Sequence, residues 1–221
     1  DYGNLTYVLP PGADATAGMP TPTQLQELCY QYKYDGRERL IERKVPGKGW
    51  EYIVYNQLDQ PVLTQDAVQR QSMIWLVTKY DALGRVAYTG KKISSHTQKS
   101  FQALVDAHPG YETRTSIGTV QGGTMVYYSA DAAPLDIDQV HTIHYYDGYD
   151  NLDIGFAIPN QTSLGTTIEK GIAAKGFPTL TRLRVLGTDH WIPTAMGYDK
   201  KVREIWRKRW NRFLSTQETL E

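Results

Sequence analysis

Tyr80-Asp81-Ala82-Leu83-Gly84-Arg85-Val86 decides how this chain folds. Tyr80 closes the run Ile74 to Tyr80, whose β-branched and aromatic residues suit a pleated, half-buried strand. Asp81 can bond backbone amides two residues on, in an Asx-type turn. Gly84, four residues after the tyrosine, supplies a positive φ at little cost where the turn must resolve. The chain then runs back as Arg85-Val86-Ala87-Tyr88. Strand, turn and return spell a β-hairpin.

Working outward, the same element recurs. Tyr34-Asp35-Gly36-Arg37-Glu38-Arg39-Leu40 keeps the Arg and the apolar residue after it, and Tyr55-Asn56-Gln57-Leu58-Asp59-Gln60-Pro61 keeps the outline. Tyr146-Asp147-Gly148-Tyr149-Asp150-Asn151-Leu152 keeps Tyr-Asp and the apolar residue, and Tyr198-Asp199 opens a last copy. Gly3-Asn4-Leu5 matches the last part of a copy. Each copy predicts a hairpin, and hairpins in series predict a continuous sheet. The competing explanation is coincidence in a chain with 16 Tyr against 4 Phe. The downstream Gly-Arg-apolar element, recurring in register, argues against it.

Other strand signals lie at Leu28 to Tyr34, Trp50 to Tyr55, Thr124 to Ser129 and Val140 to Tyr146, with weaker ones at Arg182 to Leu186 and His190 to Met196. Helix signals are few. Thr21-Pro22-Thr23 starts one short candidate over Gln24 to Leu28. Thr97 to Ala107 is the second, with Phe101, Leu104 and Val105 on one face and His108-Pro109-Gly110 as its stop. Pro10 to Pro22, Gly118 to Gly123 and Pro159 to Gly176 read as loops. The fold class expected is therefore mainly β, a serial-hairpin sheet with one or two short helices in insertions.

Lys plus Arg equals Asp plus Glu, 24 each, so no global field favours nucleic acid or an anionic membrane. The single cysteine, Cys29, has no partner for an internal disulfide or a Cys-based metal site and reads as core. No stretch approaches the roughly 18 apolar residues of a membrane span. The first residues carry no basic-then-apolar signal-peptide pattern.

Tyr-Asp-x-x-Gly-Arg-Val/Leu resembles the hallmark of the Rhs/YD-repeat proteins. The stretches 30–67 and 183–201 are similar to the long Bacteroidetes-type members, and the likeness covers most of 1–90 and 140–205. Residues 91–139 read as an insertion with the helix, and 140–221 as further repeats with a basic end, all within one repeat segment. Val202 stands where the resemblance expects Gly, which argues against a normal turn after Tyr198. The resemblance implies a curved or spiralling β-sheet wall, part of a shell able to enclose a polymorphic toxin. It also implies an extracellular or cell-surface, secreted location. The partners it implies are the rest of the parent polypeptide and glycans or cell-envelope components. Nothing matches the terminal consensus of the family's self-cleaving segment, so no protease residues carry over.

Catalytic and metal readings find little in the residues. His141 and His144, three apart on a strand, point to opposite faces. Asp136, Asp138, Asp147, Asp150 and Asp153 lack the pattern of a calcium loop. Pro46-Gly47-Lys48-Gly49-Trp50 lacks the first Gly and the Ser/Thr of a phosphate-binding loop. No Gly-x-Ser-x-Gly elbow is present. Lys200 to Leu214 is basic, with Val202, Trp206, Trp210 and Phe213 at helical spacing. It reads as a basic amphipathic helix for a membrane surface or nucleic acid, as the last β-repeat running out, or as a helix docking its Trp stripe on the sheet. The expected function is a non-catalytic structural segment that uses no cofactor. A carbohydrate-binding or adhesion module built on exposed Tyr and Trp is the alternative, and an enzyme or toxin fragment the third. Bare sheet edges predict self-association unless helices or the C-terminal stretch cover them.

Overall fold

The computed structural model describes residues 3–13, 18–150, 154–171, 174–211 and 213–221. It is mainly β, 44% strand and 10% helix. In chain order the elements are β1 (Tyr7–Val8), α1 (Pro22–Glu27), β2 (Tyr30–Tyr34), β3 (Leu40–Val45), β4 (Gly49–Tyr55), β5 (Pro61–Gln65), α2 (Ala67–Gln71), β6 (Ile74–Tyr80), β7 (Val86–Ile93) and α3 (Gln98–Asp106). There follow β8 (Arg114–Gln121), β9 (Thr124–Tyr128), β10 (Gln139–Tyr146), β11 (Pro178–Arg184), β12 (Trp191–Tyr198), β13 (Glu204–Asn211) and β14 (Thr216–Leu220). Twelve strands share one hydrogen-bonded order, β1 to β7 and then β10 to β14, while β8 and β9 pair separately. Among the described residues no sheet closes into a barrel.

Among the described residues there are three short helices where one or two were expected. The unforeseen one is α2, which Asp66 starts with a capping box: Gln69 N–H donates to the Asp66 carboxylate and the Gln69 side chain accepts from Asp66 N–H. One further correction concerns a strand, and one open reading is decided. Gly118 to Gln121, expected in a loop, lies in β8, with only Gly122 and Gly123 turning the chain. The basic stretch, open between helix and strand in the sequence, is a strand at 204–211. Trp206 and Trp210 are four apart, a spacing that satisfies a helix face and a strand face equally.

The chain divides into two compact units. The first comprises residues 1–78, 91–110 and 132–134. Its core holds Val54, Leu63, Trp75, Val77 and, from α3, Phe101 and Val105. Phe101 meets Trp75 edge-on at 5.1 Å, and burying such a ring contributes about 2 kcal/mol. The β3–β4 ladder ends at Glu42 opposite Tyr52. Beyond it, helix α3 takes up the β4 backbone. Gln98 donates to the Ile53 carbonyl at 3.0 Å, while Gln102 accepts from Tyr55 N–H at 3.1 Å and donates to the Tyr55 carbonyl at 2.7 Å. Two glutamines four apart thus replace a strand partner.

The second unit comprises residues 79–90, 111–131 and 135–221. Its core includes Tyr88, Val126, Tyr128, Ile143, Tyr145, Leu180 and Trp206. Tyr128 stacks on Tyr145 with ring centroids 5.5 Å apart, and its hydroxyl donates to the His144 carbonyl at 2.6 Å. Gly90 lets the 137–139 segment approach. A Cβ there would lie 2.3 Å from the Gln139 carbonyl oxygen.

Candidate functional site

The Tyr-Asp turns are the most repeated construction in the molecule. After Tyr34, the Asp35 Oδ1 accepts from the N–H groups of Arg37 and Arg39 at 2.9 and 3.0 Å. Its Oδ2 accepts from Arg39 Nε at 2.7 Å. The main chain closes underneath: Asp35 N–H donates to the Arg39 carbonyl, and Glu38 N–H to the Asp35 carbonyl. One carboxylate therefore fixes the turn amides and the arginine that begins the return strand.

Asp81 repeats the pattern with Leu83 N–H, Arg85 N–H and Arg85 Nε at 2.9, 2.9 and 2.7 Å. Asp199 repeats it with Lys201 N–H, Arg203 N–H and Arg203 Nε at 2.9, 2.9 and 2.8 Å. Asn56 forms the neutral version: Leu58 and Gln60 N–H donate to its Oδ1, and its Nδ2 donates to Gln60 Oε1 at 2.9 Å. The fourth residue after each tyrosine has a positive φ: Glu38 61°, Asp59 60°, Gly84 78° and Val202 63°. The expectation against a normal turn after Tyr198 is overturned, because the Asp199 bond set holds Val202 in the left-handed region.

The tyrosines have their own part. The register shifts at Tyr34, Tyr55 and Tyr198, so a bulge closes each of these strands as it enters its turn. The Tyr55 hydroxyl donates to the Leu40 carbonyl, first residue of the preceding return strand, at 2.9 Å. Tyr146 does the same to Val86 at 3.0 Å, and Tyr34 to Leu5 at 2.9 Å. Leu5 thus plays the part of Leu40 and Val86, as its Gly-Asn-Leu context suggests.

In each unit an arginine reaches from its own turn to a neighbouring copy of the element. In the first, Arg39 reaches from its own Asp35 to the Asn56 carbonyl at 3.2 Å and Asp59 at 2.9 Å, its guanidinium over the Tyr55 ring at 5.0 Å. In the second, Arg85 forks onto Asp147 at 3.0 and 2.7 Å, 4.2 Å from the Tyr146 ring centroid. The Asp147 carboxylate is held below its usual range, first by the Arg85 side chain and then by Gly176 N–H against the opposing effect of burial. Burial opposes ionisation of Asp35, yet Arg39 and the turn amides hold it low as well. At Asp199 the Arg203 guanidinium is the largest cause of the same lowering.

Tyr146-Asp147 is the copy that does not make the hairpin turn. Asp147 N–H donates to the Phe177 carbonyl, and β10 pairs with β11 after a long connection. The residue five after the tyrosine differs in type: Arg39, Gln60, Arg85 and Arg203 stand there in the working turns, Asn151 here. Asn151 and Asp153 lie outside the described residues. A further turn escaped the sequence reading at Thr162-Ser163-Leu164-Gly165-Thr166. Thr162 N–H donates to the Thr166 carbonyl, Thr166 N–H to Thr162 Oγ1, and Gly165 has φ 79°. Threonine replaces the aspartate, and the Gly three residues later was the available signal.

Other side chains weighed from sequence resolve simply. Cys29 is fully buried ahead of β2. His144 lies on β10 with its pKa lowered by burial. Gly47 and Gly49 form the β3–β4 turn with positive φ. Among the described residues no group of three or more His, Cys, Asp or Glu is placed to hold a metal ion. No helix among them is long and apolar enough to cross a membrane. Sequence reasoning did not foresee the buried pair Lys79–Glu112, 3.3 Å apart. Alternation along β6 turns Lys79 to the buried face. Glu112 also accepts from the hydroxyls of Tyr88 and Ser129 and from Asp131 N–H. Compared with protein-family models and with curated proteins, the chain finds no match.

Proposed function

We propose that this chain is a non-catalytic structural segment of a large Rhs/YD-repeat surface or secreted protein, forming part of its β-sheet shell. The observation that carries the reading is the recurrence of one side-chain bond set at Asp35, Asn56, Asp81 and Asp199. These carboxylates and amides spend their acceptors on the chain's own amides and arginines, which is the work of a scaffold and leaves them unsuited to chemistry. The rest of the parent polypeptide, or a second copy in the isolated chain, would pair with its outer strand. Asp35→Ala and Asp81→Ala each strip two backbone amides and an arginine of their acceptor. Each is expected to lower the unfolding free energy by about 1–3 kcal/mol, with matching loss of protease resistance. Unchanged thermal unfolding in both variants would refute a structural role for the turns.

A further inference from the structure

The first unit contains a cleft of about 400 Å³ between α2, β6 and the start of α3, and no bond of the turns reaches it. Its size falls within the range of small-molecule sites. Two of its lining residues carry buried N–H donors that find no acceptor among the described residues: Arg70 Nη1 and Trp75 Nε1. Trp75 is 1% exposed. Arg70 is otherwise well held, with Nη2 on the Trp50 carbonyl at 2.8 Å and the guanidinium 4.3 Å from the Tyr52 ring centroid. Native structures leave few buried donors unpaired, and each such group implies an acceptor. The charge around them is mainly positive. Lys99 and the amino end of α3 border the cleft, with the helix dipole positive there. Glu42, the acid in the lining, is paired with Lys33 at 2.8 Å.

We infer that this cleft binds a small ligand bearing an oxyanion, its oxygens accepting from Arg70 and Trp75 and facing the amino end of α3. The inference is independent of the scaffold reading, since a shell wall needs no such pocket. The shared chemistry is an oxyanion, which a uronate sugar or a free inorganic anion could supply. The test is titration of the whole chain with D-glucuronate, D-glucose, acetate and inorganic phosphate, read by the Trp75 indole N–H resonance and by calorimetry. Saturable D-glucuronate binding is expected, with a downfield shift of that resonance and none with D-glucose. Binding should weaken about tenfold in Arg70→Met and less in the surface change Lys99→Ala. Acetate or phosphate binding as tightly would support the oxyanion site and assign it to free anions. No saturable response to any anion from the folded chain would overturn the proposal. So would a glucuronate affinity that Arg70→Met and Lys99→Ala both leave unchanged.

Discussion

At Val202 a β-branched residue holds a φ of 63°, where Gly84 does the same work without a Cβ. The left-handed region costs an L residue about 1–2 kcal/mol, and glycine returns part of that as chain entropy. Val202→Gly is therefore expected to raise the unfolding free energy by about 1 kcal/mol, measured by urea denaturation. A drop in stability would show that the valine side chain matters more than its backbone. This residue also shows the reach of sequence reading. Glycine is the usual marker of the turn, yet the bonds that make it come from the aspartate two and four residues upstream of their partners. A reader of Asp199 and Arg203 sees the turn, and a reader of Val202 alone misses it.

At the scale of elements, the hairpins were legible because their cause is local, a carboxylate bonding amides of the next four residues. The Tyr146 copy looked alike and behaves otherwise: its Asp147 carboxylate accepts from Arg85 and from Gly176 N–H. Helix α2 was hidden by its five-residue length, too short for any periodicity to register. The basic stretch was ambiguous because its tryptophans fit both periods. Once it is a strand, β14 pairs beside it and ends the strand order with all five residues exposed. An exposed edge strand is a template for pairing. Sedimentation velocity is expected to show concentration-dependent association of the isolated chain. A strict monomer at high concentration would contradict this.

For the whole molecule, acidity reports the turns and the buried groups together. The carboxyls of Asp35, Asp147 and Asp199 titrate below 3.8 in the folded state, so their stabilisation is present above that pH and lost as pH falls through the folded values. Burial lowers Lys79 from 10.5 to about 8, against the pull of Glu112. The unfolded chain then binds more protons between those values, and stability from this group rises with pH across that window. Burial raises Tyr149 and Tyr198 from 10.0 to about 12, so their contribution falls as pH climbs above 10. Thermal unfolding across pH is expected to peak between about 8 and 10, and a maximum below pH 7 would contradict that balance. The buried Lys79–Glu112 pair was beyond sequence reading, since alternation marks a face as buried but not which polar partner will meet it there. The cleft beside α3 was equally hidden, because its residues come from separate elements. Common to these levels is the tie that arginine makes from one Tyr-Asp turn to a neighbouring Tyr-Asp copy. It is tested most directly by a double-mutant cycle of Arg85→Met and Asp147→Asn on unfolding free energy. The bidentate geometry, reduced by solvent screening of a partly exposed pair, predicts a coupling of about 0.5–1.5 kcal/mol. Strictly additive losses would mean that the turns stand alone and that the arginine ladder carries no stability.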